Sequence, residues 1–526
     1  MKIINITDIP FSPLKILVTV LFFMINYSNY ALKTHLKNRH LSLLEKKCEN
    51  ENDILDETYQ NKVTKEKMNV VFILSDDHRY DFMGFMDKIP FLKTPNMDRM
   101  ATEGVHMRNA FVSTSLCSPS RTSILTGQYA HNHKVIRNSS PLPKGTVFFP
   151  VYLQNNGYQT AFIGKWHIGD HKDDDPRPGF DFWVSFKGQG VYHNPTINLN
   201  GKKITHDSSY VTDVLTNYAI DFLKHRDKKN PFFLYLSHKA VHGEFAFDGR
   251  KPGEFANEKI PYPKTMFPPN HKYATVTEDE YNFKHLPQWV KNARRSRLGV
   301  DNMWLGKSEY EEFYKLYCEE IISLDVSIGT VLDYLEQEKL MDNTIIIYMG
   351  DNGFTLGEHG LIDKRQAYEE SIRVPLIAIG GGIPFKTVVD EFIMNIDIGP
   401  TILDICGIAK PEYMDGASFK NLLYQKSTNW KDTIFYEHFW ERVYPVPTVH
   451  AVRTSNYKYI RYYGLYDLNE LYDIENDPLE MNNLISDPRY AQVAIELNKA
   501  ISNWLSTTGG VCLHLKGDYY LPHLDY

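Results

Sequence analysis

Short apolar runs recur through the first four hundred residues, each closed by polar or turn-forming positions. NVVFIL (Asn69–Leu74), TAFI (Thr160–Ile163), FFLYL (Phe232–Leu236), TIIIYM (Thr344–Met349) and VPLIAIG (Val374–Gly380) are apolar at successive positions. Continuous runs of this length predict strands covered on both faces. Tyr310–Gln337 has helical periodicity with no breaker before Gly329. NPTINLNGKKIT (Asn194–Thr205) carries an Asn-Gly hairpin signal. Strand-like and helix-like runs alternate, which predicts an α/β fold with a large, mostly parallel mixed sheet flanked by helices. After about Asp415 the texture changes. TIFYEHF, HAVRTSNYKYIRYY and LYDLNELYDIENDP predict short antiparallel strands, and AQVAIELNKAISNWL predicts a helix. A smaller C-terminal α+β domain with a short antiparallel sheet is therefore expected.

At the other end, Lys2 and Lys15 precede ILVTVLFFMI (Ile16–Ile25), an apolar stretch of signal-peptide length and short for a bilayer span. Residues 1–31 are read as a signal peptide or N-terminal anchor, because SNYA, ending at Ala31, is a poor cleavage site. Residues 32–67, charge-dense and polar, are read as a tether. The catalytic domain is assigned to 68–414 and the C-terminal subdomain to 415–526. The protein is expected to be exported: periplasmic in a Gram-negative bacterium, secreted or lysosomal otherwise, with membrane contact only through an uncleaved leader.

Composition changes this picture little. The chain has 526 residues, 42% hydrophobic and 23% charged, as an ordinary globular protein does. Its net charge of −7 argues against a general nucleic-acid partner. Aromatics reach 13%, which suits sugar-holding clefts and tyrosine-rich sheet surfaces alike. The five cysteines (Cys48, Cys117, Cys318, Cys406, Cys512) form no CxxC pair and no zinc spacing.

Candidate chemistry lies where the strands end. After NVVFIL come Asp76 and Asp77; after TAFI, Lys165 and His167; after FFLYL, His238 and His242; after TIIIYM, Asp351 and Asn352. In open α/β sheets the ligand crevice lies beyond the carboxyl ends of the strands. Singly, each ending reads as a cap, a turn or a satisfied histidine; together they predict one site. Asp76, Asp77, Asp351 and Asn352 offer only oxygens, which suits one hard cation, Ca²⁺ ahead of Mg²⁺. A two-zinc site would need histidines as well, and His359 has no obvious partner. LCSPSRTSILTG (Leu116–Gly127) adds a cysteine in polar surroundings. Ser118 can cap a helix and Pro119 suits its first turn, which sets Cys117 at the positive end of a helix dipole. Arg121, one turn on, offers a bidentate donor to a tetrahedral oxyanion.

CSPSR followed by LTG closely resembles the signature of the sulfatase family, within the alkaline-phosphatase-like superfamily. The resemblance extends over most of Asn69 to about Pro488, including TPNMDRMATEGVHMRNAF, TGQYAHNH, GKWH and ELYDIENDPLEMNNL. It implies that Cys117 is oxidised to formylglycine by a formylglycine-generating or other maturing enzyme. It also implies a metal site at Asp76, Asp77, Asp351 and Asn352, with the modified Cys117 also touching the metal. Sulfate binding and proton handling fall on Arg121, Lys165, His167, His242 and Lys364, the last in DKRQAYEESIRVP. The implied chemistry is attack on sulfur by a hydroxyl of the hydrated aldehyde, with Asp351 as base and His242 and Lys364 protonating the leaving alcohol. His167 then takes the proton that re-forms the aldehyde.

The substrate is read as a sulfated oligo- or polysaccharide. GDHKDDDPRPGFDFWVSFKGQGVYHNP, FYEHFW and VPTVHAVRTSNYKYI are similar to segments of glucosamine-6-sulfate enzymes and of sulfatases acting on algal glycans such as ulvan. His238, His171, Gln189, His193, His438 and His450 are candidate sugar contacts, each with an ordinary loop or strand role as the alternative. KNARRSR (Lys291–Arg297) reads as a solvated basic loop ahead of an anionic-sugar contact. Two other functions remain open: a formylglycine-dependent phosphonate monoester or phosphodiester hydrolase, and a silent glycan-binding relative in which Cys117 stays a thiol.

Overall fold

The run Asn69–Ser75 forms strand β1, and its side chains divide between two cores. Val70, Phe72 and Leu74 enter one apolar cluster, while Val71 and Ile73 enter another. That split is the period of two along a strand whose faces are both covered, and it accounts for the unbroken apolar sequence. The computed structural model describes residues 67–169, 173–243, 253–305, 309–441, 444, 446–463 and 467–511. The leader, the tether up to residue 66, Cys48, His171 and Cys512 lie outside the described residues.

The main sheet adds β2 (Val105–Met107), β3 (Gln159–Lys165), β4 (Phe182–Phe186), β5 (Thr196–Leu199), β6 (Lys202–Thr205), β7 (Phe232–Ser237), β8 (Thr344–Gly350), β9 (Leu376–Gly380) and β10 (Thr387–Val389). Their order is β10-β2-β9-β8-β1-β7-β3-β4-β5-β6. The central five, β8-β1-β7-β3-β4, are mutually parallel. β9 runs antiparallel to β8 and β2, and the hairpin β5–β6 extends the opposite edge antiparallel to β4. The hairpin turns at Asn200 and Gly201, both with positive φ (48° and 91°), as its Asn-Gly signal requires.

Helices α1 (Pro95–Thr102), α3 (Val211–His225) and α4 (Tyr310–Gln337) cover one face of the sheet; α2 (Cys117–Thr126) lies on the other. α4 continues through Gly329 because α1 packs there. A Cβ on Gly329 would stand 2.5 Å from the Asn96 side chain. Asp325 of α4 accepts from the backbone N–H groups of Asn96 and Met97 at 2.8–3.2 Å, satisfying donors at the α1 N-terminus. Among the described residues no helix is long and apolar enough to cross a membrane.

Beyond the main sheet, β11 (Thr433–His438), β12 (Thr448–Thr454), β13 (Tyr457–Tyr463) and β14 (Glu470–Asp473) form an antiparallel meander, backed by α5 (Ala491–Thr508). Ile434, Val449, Ile460 and Leu471 of this sheet share one apolar cluster with Phe72 of β1 and Trp504 of α5. The small sheet is therefore welded to the large one through common core.

Candidate active site

Strand register gathers the polar endings. β1 and β8 pair with Ser75 opposite Gly350, so Asp76 and Asp77 emerge beside Asp351 and Asn352. β1 meets β7 with Leu74 opposite Ser237, and β7 meets β3 with Ser237 opposite Gly164, which brings Lys165 to the same edge. Gly164 has φ 125°, and a Cβ there would lie 1.7 Å from the Ser237 carbonyl oxygen, so the close approach requires glycine. Asp77 stands at φ 60° and is over-determined. Tyr317 of α4 donates to its carbonyl at 2.6 Å, and its own N–H donates to Asp351 Oδ1 at 3.0 Å. Left-handed backbone at a non-glycine residue persists where the surroundings hold it.

Cys117 opens α2, and the helix is wholly buried. The N-cap is Leu116, without a side-chain cap; the expected Ser118 cap is not formed. Ser118 is already helical. Its hydroxyl donates to the His167 carbonyl at 2.5 Å, and its N–H donates to Asn138 Oδ1 at 3.0 Å, so Asn138 supplies the capping acceptor from another segment. Arg121 Nε donates to Asp351 Oδ2 at 2.9 Å, and its NH1 donates to the Lys165 carbonyl and Ser237 Oγ at 2.8 and 2.7 Å.

Around Cys117 Sγ stand Lys364 Nζ at 3.3 Å and Asp76 Oδ1 at 3.6 Å. The carboxylate in contact with Cys117 is thus Asp76; Asp351 is engaged by Arg121 and the Asp77 amide. Lys364 also donates to Asp77, and Lys165 to Asp76 and Gln189. Lys364 is presented by backbone held at positive φ on both sides, Asp363 at 85° and Arg365 at 93°. His242 Nε2 is 3.9 Å from Asp77 Oδ2.

Acidic oxygens of Asp76, Asp77 and Asp351 lie within 4.8 Å of one another, as do ligand atoms of Asp76, Cys117 and His242. Burial raises the Asp77 carboxyl to about 7, with Asp76 and Asp351 adding repulsion against the pull of Lys364. Burial and Asp76 raise Asp351 as well. Burial would also raise Asp76, but Lys165 and Arg121 outweigh it and hold that carboxyl well below its usual range. Asn352 Nδ2 donates to Asp77 Oδ1 at 2.7 Å, whereas its buried Oδ1 has no hydrogen-bond partner. Crowded carboxylates with an unsatisfied amide oxygen form a donor set suited to a hard cation. Burial pushes the Cys117 thiol up to about 12, against the opposing pull of Lys364. An unmodified Cys117 would stay protonated at neutral pH, and a thiol is a poor nucleophile.

The predicted sugar contacts scatter. Gln189 sits beside the site but accepts from Lys165 at 2.5 Å, with positive-φ glycines on either side at 188 and 190. His238 meets Ser327 Oγ of α4 at 3.0 Å, in the layer beneath that helix. His193 lies exposed against Tyr210. His450 and His438 occupy opposite faces of the small sheet. His450 faces α5, 5.9 Å from the Trp504 ring, and is removed from the sugar set by strand alternation. His438 points to the face opposite His450, where the charges of Arg365 and Arg137 act on it, with neither ring nitrogen hydrogen-bonded. His359 stacks on Tyr368 at 4.0 Å and stands outside the carboxylate group. Within KNARRSR, Arg294 is buried and paired with Asp301 at 2.9 Å, so the stretch is not wholly solvated. Sequence reasoning missed Tyr317, Ser237 and Asn138. Each acts across a tertiary contact, and only Ser237, at a strand end, carried a positional signal.

Comparison with known proteins shows the family of the chain. The Sulfatase family model matches residues 68–408, and the model for the N-sulphoglucosamine sulphohydrolase C-terminal region matches 357–506. The chain is 33% identical over 494 residues to an N-acetylglucosamine-6-O-sulfatase of Bacteroides thetaiotaomicron, covering 83% of this chain and 86% of that one. It is 30% identical over 393 residues to the human N-acetylglucosamine-6-sulfatase, covering 70% and 67%. A protein solved in complex with its substrate D-glucosamine-2-N,6-O-disulfate superposes with a TM-score of 0.73 at 32% identity, covering 84% of this chain and 98% of that one. These likenesses run along most of the chain, and the protein belongs to the sulfatase family of sulfuric ester hydrolases.

Proposed function

We propose that the protein removes 6-O-sulfate from glucosamine units of a sulfated glycan, with residue 117 matured to formylglycine and one Ca²⁺ in the carboxylate nest. The observation that carries this reading is the convergence of Asp76, Asp77, Asp351 and the unpartnered Asn352 Oδ1 with Cys117 and two buried lysines. The all-oxygen donor set fits a hard cation better than zinc. The sugar and the sulfate position are taken from the glucosamine-6-sulfatases to which the chain is similar.

Those four residues would hold Ca²⁺, which supplies positive charge to sulfate oxygens. The hydrated aldehyde at position 117 would supply an oxygen nucleophile in place of a thiol that burial keeps protonated. Maturation would call for a formylglycine-generating or other sulfatase-maturing enzyme as partner. The chain's own side chains divide the remaining work. Arg121 fixes the orientation of Asp351, and Lys165 and Lys364 set positive charge around the sulfate. His242, with Lys364, gives a proton to the departing alcohol oxygen, and His167 handles the proton on the residue 117 oxygen when sulfate is released. Asp351, one of the aspartates that would hold the ion, is the base for the attacking oxygen.

Matured enzyme should release sulfate from N-acetylglucosamine-6-sulfate and from an aryl sulfate, both faster than it cleaves an aryl phosphonate or phosphodiester. Faster turnover of the phosphorus esters, or hydrolysis of the aryl sulfate with no release from any sugar, would overturn the assignment.

A further inference from the structure

We infer that Arg137 and Trp440 form a subsite for a second anionic substituent on the sulfated sugar, an inference that rests on the glucosamine-sulfatase reading. Arg137 makes no ion pair among the described residues, and its buried Nε has no hydrogen-bond partner. Its guanidinium carbon lies 6.0 Å from the centre of the Trp440 ring, which is 48% exposed. A guanidinium without a carboxylate beside an exposed indole offers a charge for an anion and a flat surface for a sugar ring.

Sequence neighbours tie this pair to the reacting centre from two sides. Asn138, next to Arg137, accepts from the Ser118 N–H, one residue past Cys117. His438, two residues before Trp440, is only 1% exposed, with both ring nitrogens unpartnered, and lies near Arg137 and Arg365. Arg365 follows Lys364, which touches Cys117 Sγ. Arg365 itself is already neutralised, by Asp363 at 2.9 Å and Glu441 at 2.7 Å, and its guanidinium stacks on Tyr444 at 3.6 Å. Of the two cations beside His438, Arg137 is the one left to meet charge brought by the substrate. A buried polar group without a partner is costly, so a ligand that completes its bonding is favoured.

The test compares kcat/KM for glucosamine-2-N,6-O-disulfate with that for N-acetylglucosamine-6-sulfate, in matured wild-type enzyme and in Arg137→Met. Thermal melting checks the fold of the variant. A charge-assisted contact predicts that the wild type favours the disulfate by roughly 10- to 100-fold, chiefly through KM. Arg137→Met should bring that ratio close to one, and Trp440→Ala should raise KM for both sugars. A wild type that hydrolyses both sugars without preference overturns the subsite, as does a ratio that survives Arg137→Met. A wild type that hydrolyses neither sugar while cleaving aryl sulfate overturns the underlying reading instead.

Discussion

Cys117→Ala should lose sulfate release by roughly 10⁴- to 10⁶-fold on sugar and aryl sulfates alike, the scale of removing a nucleophile from a site that otherwise stays assembled. The fold should survive, because the groups that organise α2 do not depend on the sulfur. Ser118 bonds Asn138 and the His167 carbonyl, and Arg121 bonds Asp351 and Ser237. Cys117→Ser is the sharper test of chemistry. A serine supplies one hydroxyl, whereas a hydrated aldehyde supplies two, and the second is needed to expel sulfate. Serine should therefore allow at most a slow first turnover, visible as a covalent sulfate adduct on residue 117 by mass analysis. Activity within tenfold of wild type in either variant would contradict the role assigned to this residue.

Lys458→Met should destabilise the protein by about 3–5 kcal/mol, the cost of breaking a buried ion pair from one side. Lys458 lies on β13 with no exposed surface. Its ammonium is 2.8 Å from both Glu369 and Glu480, and it donates to the Ala367 carbonyl at 3.0 Å. Burial would raise the Glu369 carboxyl, but Lys458, Arg453 and Arg373 outweigh it and hold it below its usual range. Burial raises Glu480 to about 7 even with Lys458 beside it. Removing the ammonium leaves two acids facing each other in the core. Glu369 stands five residues after Lys364, so this network also anchors the segment that delivers Lys364 to Cys117. Denaturant unfolding measures the loss, and adding Glu480→Gln to Lys458→Met should restore part of it. A loss below 1 kcal/mol would show that the network contributes little.

The sheet was readable because its central strands are buried on both faces, which writes an uninterrupted apolar run into the sequence. Asn69–Ser75 and Thr344–Gly350 are the clearest cases. The nest of carboxylates was readable for a related reason: parallel strands in register end together, so polar residues just beyond their ends must meet. Side-chain direction and tertiary reach were not readable. One strand reversal separates His438, pointing to the opposite face, from His450, packed against Trp504, and sequence proximity had grouped them. His238 follows β7 as Asp76 follows β1, yet it turns to Ser327 beneath α4. Ser118 looked like a cap because serine usually is one; the acceptor at the helix start comes instead from Asn138, twenty positions on. The leftover guanidinium of Arg137 carries no local motif, since its significance lies in the lack of an acid partner among the described residues.

A crystal structure of matured protein grown with Ca²⁺ tests the central claim most directly. The account predicts a single ion bonded to Asp76, Asp77, Asp351 and Asn352 Oδ1 at about 2.3–2.6 Å, the usual calcium–oxygen range, with Lys165 and Lys364 displaced from the carboxylates they now touch. Both lysines still bonded to Asp76 and Asp77 at saturating Ca²⁺, with no ion among the four residues, would contradict it.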